Sequence, residues 1–206
     1  MTQDKLQILF KDYFGLYNPS LSKGVALLTL LLDTTLKRGE LDSVFNLLCG
    51  EISPYLQDDS STEEKAEIFR LVLFDKLKFK ISSLSEDTQL SLKQVIRRRS
   101  TTPMFMGVLY LLLAKNFHTP VFLGLSKGQI IVCFEKEYNF PNVYIGINNN
   151  GTFITDSELS ARGIKHELQI LNTKQIIRYL LSNLIYLYTK QNADDKKQFI
   201  QTLLEN

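Results

Sequence analysis

Tryptophan is absent from the 206-residue chain, and cysteine and histidine occur only as Cys49, Cys133, His118 and His166. A zinc site of four thiolates is therefore impossible, and a site of two cysteines and two histidines would use all four residues at a spacing no zinc finger has. Two cysteines cannot form the multi-bridge framework of a small disulfide-stapled domain. Neither metal nor cofactor is expected. Charge of one sign is also lacking: 24 Lys and Arg face 22 Asp and Glu, a formal net charge of +2. A balance that close argues against nucleic acid or an anionic membrane as partner. The longest apolar run, Pro103 to Ala114, falls short of the roughly 18 residues a bilayer span needs. The opening, Met1 to Lys5, lacks the basic-then-apolar layout of a signal peptide. A cytoplasmic location follows as the expectation.

Hydrophobic residues make up 44% and charged residues 22% of the chain, an ordinary globular balance. The length allows one domain or two small ones sharing a core. The first hundred residues carry helical spacing. Asn18-Pro19-Ser20 opens a segment running to Leu36, with a basic last turn through Arg38 before Gly39. A short helix spans Leu41 to Leu48. Ser61 or Thr62 caps a helix on which Phe69, Leu73 and Leu77 repeat at every fourth position. Thr102 and Pro103 then mark a new start, a cap followed by the residue suited to a first helical turn. The helix they open is apolar on every side, which is the mark of a buried helix.

Beyond Pro120 the period changes. Val121 to Leu125, Gln129 to Phe134 and Val143 to Ile147 are strand-like runs, and Asn148 to Gly151 signals a hairpin turn into Thr152 to Thr155. Asn172 or Thr173 caps a long helix, and Lys196 to Leu204 is a last short one. The order predicts an α+β fold: an N-terminal helical region, a buried central helix packed on a small antiparallel sheet, and C-terminal helices. We divide it as residues 1–86, 87–170 and 171–206, the last a helical pair on the same core.

A buried helix leading into an antiparallel sheet is the layout of papain-like and transglutaminase-like cores. The stretch Val95-Ile-Arg-Arg-Arg-Ser-Thr-Thr-Pro-Met-Phe-Met-Gly-Val-Leu-Tyr110 resembles the bacterial SirB-type branch of the transglutaminase-like superfamily. Lys23-Gly-Val-Ala-Leu-Leu28, Leu73-Phe-Asp-Lys-Leu-Lys-Phe79, Lys127-Gly-Gln-Ile130 and Gln175 to Leu184 resemble further blocks of it, in the same order. The register from Pro103 to Gln129 needs no gap.

The resemblance implies a fold and implies that its usual chemistry is missing. The nucleophile column holds Pro103, the general-base column Gln129, and the acid motif reads Ile154-Thr155-Asp156, with the acid absent or displaced by one residue. Proline carries no nucleophile, and a neutral amide is no base near pH 7. These three residues are the candidates for a vestigial site. The expectation is a non-catalytic cytoplasmic interaction or regulatory module with a protein partner, its former cleft empty or taking a small ligand. The alternative is a hydrolase or acyltransferase using a substitute hydroxyl such as Thr102, Ser126 or Ser157, each of which needs a base.

The remaining chemistry-bearing residues read as structural. Cys133 lies inside an apolar strand and Cys49 near a helix end, both as core filler. His118 suits a helix C-terminus, and neither histidine has a second ligand at metal spacing. Arg178 and Asn183 are expected to make structural hydrogen bonds. Arg97, Arg98 and Arg99 form the densest basic stretch. It reads as a solvated face, with a contact patch for a phosphate or acidic partner as the sharper reading.

Overall fold

A helix leaves the N–H groups of its first turn unpaired, and the sequence supplies side chains that satisfy them. The computed structural model describes residues 2–37, 39–135 and 142–205. In it Ser61, Thr155 and Asn172 each accept the backbone N–H three residues on, and Glu64, Glu158 and Gln175 return the bond. The helices are α1 (Gln3–Gly15), α2 (Leu21–Leu32), α3 (Glu40–Ile52), α4 (Thr62–Arg70), α5 (Leu92–Arg98), α6 (Pro103–Asn116), α7 (Asp156–Ala161), α8 (Thr173–Lys190) and α9 (Asp194–Leu204). The strands are β1 (Lys80–Ile81), β2 (Ser100–Thr101), β3 (Val121–Ser126), β4 (Gln129–Phe134), β5 (Val143–Gly146), β6 (Thr152–Ile154) and β7 (Gln169–Ile170). The fold is the mixed α+β class that the pattern predicts. Among the described residues no helix is long and apolar enough to cross a membrane.

Two compact units result, each assembled from separate stretches of chain. A sheet unit comprises Phe45–Ser82 and Arg99–Leu171; a helical unit comprises Met1–Val44, Ser83–Arg98 and Asn172–Asn206. In the sheet unit β3 to β7 form one antiparallel sheet in the order β6-β5-β4-β3-β7. The β3–β4 hairpin closes through Lys127 and Gly128, both at positive φ, so the two strands pair from Ser126↔Gln129 to Val121↔Phe134. Alternation along paired strands gives the sheet two distinct faces.

One face packs on α6. A Cβ at Gly107 would lie 2.5 Å from Leu123 Cδ1 and 3.3 Å from Ile130 Cγ2, so the helix approaches β3 and β4 at a distance only glycine allows. Farther along that face Tyr110 meets the Phe134 ring edge-on at 6.1 Å, and Phe69 of α4 packs 5.9 Å from Phe134. The opposite face is a second core of Ile131, Cys133, Tyr144 and Ile154 under Leu159 of α7 and Ile164.

Two helical readings change in the structure. The run of Phe69, Leu73 and Leu77 is not one α-helix: α4 ends at Arg70 and continues as a π-helical turn, Leu71–Lys76, with Leu77 N–H donating to the Val72 carbonyl. The helix from Leu21 stops at Leu32 rather than Leu36. Asp33 ends it because its carboxylate accepts from both the N–H and the hydroxyl of Thr35, a local turn that competes with the helix. Arg38, expected in a basic last turn, lies outside the described residues. In the helical unit Asp33 and Glu40 also hold the Lys93 ammonium, at 2.9 and 3.0 Å.

Two predictions follow from these contacts. Gly107→Val should destabilise the protein by about 2 kcal/mol or more, because the added carbons have no space against Leu123 and Ile130, a clash that outweighs valine's better helix propensity. Urea unfolding measures it, and an unchanged midpoint contradicts the packing. Hydrogen bonds from Thr35 and Lys93 lower the Asp33 pKa, and hydrogen bonds from Lys93 and Lys37 lower that of Glu40. Depressed carboxylates stabilise above their unfolded values, near about 4, and lose that contribution as pH falls through the folded ones. Lys93 is raised, so its share is lost only above its ordinary range, near about pH 10. The stability gap between wild type and Lys93→Met should stay constant from about pH 5 to 8 and shrink below about pH 4. A gap independent of pH in acid contradicts the ion pairs.

Candidate functional site

The first turn of α6 decides what chemistry the sheet unit can host. A helix N-terminus favours a thiolate, because its free N–H groups and dipole stabilise negative charge. Here the position is filled by capping groups. Thr102 is buried, and its Oγ1 accepts the Phe105 N–H at 3.4 Å. Pro103 follows as the first helical residue, with neither an N–H nor a reactive side chain.

Among the described residues Pro103, Gln129 and Asp156 share no hydrogen bond or ion pair. Gln129 opens β4 opposite Ser126 and alternates with Ile130. Ile130 is on the α6 face, so Gln129 belongs to the other face, with Ile131 and Cys133. Asp156 is not a strand residue. β6 ends at Ile154, Thr155 is the cap and Asp156 begins α7, where it pairs with Lys165 at 3.1 Å. Leu159 of the same helix packs on Ile131, Cys133 and Tyr144, the face remote from α6. The strand hydrogen-bonded to β4 on the side away from β3 is β5, Val-Tyr-Ile-Gly, which contains no carboxylate.

Reading the sequence missed Asn148. Its Oδ1 accepts the Ile130 N–H at 2.9 Å, so the turn after β5 holds down the start of β4. The run Asn148 to Gly151 was legible as a turn, and Asn150 and Gly151 do take positive φ. Nothing in that run marks one amide as a clamp on another strand.

Both thiols are buried and held protonated. Burial pushes Cys49 up to about 11. Burial, with the Glu135 and Asp156 carboxylates, pushes Cys133 up to about 12. The candidate hydroxyls are occupied or isolated. Thr102 caps α6, and Ser157 shares a hydrogen bond with the Thr155 hydroxyl at 2.9 Å. Ser126 Oγ is buried without a hydrogen-bond partner. None of the three is hydrogen-bonded to an imidazole or carboxylate among the described residues.

The remaining polar candidates have structural surroundings. His118 is exposed at positive φ just past the end of α6, and His166 is exposed in a short turn. Arg97 pairs with Glu40 at 3.4 Å and Arg98 with Glu86 at 2.8 Å, both arginines staying more than half exposed. Arg99 is exposed, and its carbonyl accepts the Lys80 N–H. Arg178 donates to the Leu204 carbonyl at 2.8 Å and lies over the Phe14 ring, so it ties helices together. Asn183 makes no side-chain hydrogen bond among the described residues. In the same set no three His, Cys, Asp or Glu side chains are placed to hold a metal ion.

Comparison with known families agrees with this architecture. A family model for the transglutaminase-like superfamily matches residues 40–197. No curated protein and no solved structure matches the chain.

The thiol environments give a kinetic prediction. Iodoacetamide at pH 7.5 should alkylate Cys49 and Cys133 far more slowly in the native protein than in urea, about 100-fold or more, because the thiolate is scarce and both side chains are buried. Peptide mass spectrometry reads each site separately. Native labelling of either cysteine at the unfolded rate contradicts the assignment.

Proposed function

The chain belongs to the transglutaminase-like superfamily, and we propose that within it the protein is a non-catalytic member, a cytoplasmic module that binds or regulates another protein. The first turn of α6 carries this reading. The helix start that would activate a thiol is capped by Thr102 and filled by Pro103. Two further observations support it. β5, beside β4, contains no acid, and Gln129 lies on the face of the sheet away from α6. A helix terminus, a base and an orienting acid act only when they converge on one reacting atom.

Assignment to the SirB-type branch belongs to the same proposal and rests on the ordered sequence blocks from Lys23 to Leu184. The substitute-nucleophile reading is weaker, because Thr102, Ser126 and Ser157 lack the adjacent base that activates a hydroxyl.

The test is turnover. Purified protein incubated with a glutamine-containing peptide and a fluorescent amine, and separately with peptide and ester substrates, should give product at the rate of the buffer alone. Product formation that co-purifies with the protein and is lost in Gln129→Ala or Ser126→Ala overturns the proposal.

A further inference from the structure

Sites for organic ammonium ions combine an aromatic face, a carboxylate and an apolar wall. In the helical unit these meet in a groove of about 240 Å³. Its walls include Leu6, Leu31, Leu32, Phe199 and the buried Tyr188, and Asp87, Asp195 and Lys196 stand at its mouth. Tyr188 Oη donates to Asp87 Oδ2 at 2.9 Å, which fixes the ring and the carboxylate relative to each other.

The chain's own ammonium already occupies the seat. Lys196 Nζ lies 5.1 Å from the Tyr188 ring centroid and 3.8 Å from Asp87 Oδ2. Its hold is loose: 3.8 Å exceeds hydrogen-bond length, and the side chain is 63% exposed. Asp195, its neighbour in the first turn of α9, has no ion pair or side-chain hydrogen bond among the described residues. Two carboxylates against one ammonium leave the mouth with one net negative charge, which suits a cation and repels a carboxylate ligand. The volume, below that of a drug-sized pocket, suits a short alkyl chain.

We propose that this groove binds a small amphipathic primary amine. The ligand's ammonium displaces Lys196 from Tyr188 and Asp87, and its apolar body lies against Leu31 and Phe199. Lys196 is then a tethered competitor that keeps the seat filled in the free protein. The site is built within the helical unit and does not depend on whether the sheet unit is catalytic.

Titration of the full chain with n-hexylammonium, 1-hexanol and hexanoate tests this, by calorimetry and by NMR shifts of the Tyr188 and Phe199 rings. Hexylammonium should bind about tenfold tighter than hexanol, and hexanoate should not saturate. Lys196→Met keeps the apolar stem and removes the competing charge, so it should tighten hexylammonium several-fold. Asp87→Asn should weaken it by about tenfold, with circular dichroism checking the fold. Hexanol or hexanoate binding as tightly as hexylammonium overturns the proposal. So does an affinity unchanged by Lys196→Met, or failure of both wild type and Lys196→Met to bind the amine.

Discussion

The close approach of α6 to β3 and β4 is the contact on which the sheet unit depends. A helix apolar on all sides gains nothing from water on any face, so it must be buried. Each fully buried leucine or phenylalanine contributes about 1.5–3 kcal/mol, and α6 buries Met104 to Tyr110 without a break. Gly107 lets the helix settle on Leu123 and Ile130, while Tyr110, Phe134 and Phe69 fill the wider space beyond. That packing fixes which sheet face looks at the helix. It thereby fixes which residues of β4 can reach α6.

This geometry is what supports the proposal that the protein is a non-catalytic member of its superfamily. A thiolate at the start of a helix needs free N–H groups and a base on the same side of the sheet. Thr102 takes up one N–H, Pro103 supplies none, and the β4 residues facing α6 are Ile130, Val132 and Phe134. Polar residues of the hairpin, Ser126 and Gln129, stand on the other face. Charge in the sheet unit is absorbed locally as well: Lys76 pairs with Glu51 at 2.8 Å, and Arg70 pairs with Glu67 and Asp75. The scaffold is kept by apolar packing that has no need of a reactive group.

Much of this was legible because the signals are local. Thr102 and Pro103 marked the start of α6, and the all-round apolar run marked its burial. The strands β3, β4 and β5 followed from short β-branched runs, and Asn148 to Gly151 from residues that tolerate positive φ. What the sequence hid depends on competition or on distance. Asp33 ends α2 through its bonds to Thr35, against a helical pattern that continues to Leu36. The π-turn after Arg70 keeps the apolar spacing that an α-helix would show. The strand-like run extends to Thr155 in the sequence, whereas Thr155 caps a new helix that Asp156 begins. The face of Gln129 depended on the packing of Ile130 against α6, which no periodicity within β4 could supply.

The central claim is that a transglutaminase-like scaffold is retained here without a nucleophile at the start of its central helix. Covalent trapping tests it most directly. Intact-mass spectrometry after incubation with an activated acyl ester, quenched in acid at intervals, would reveal any acyl-protein intermediate. The account predicts no adduct on the native protein beyond slow labelling of surface lysines. A stoichiometric, rapidly formed adduct on Thr102, Ser126, Ser157, Cys49 or Cys133 would contradict it.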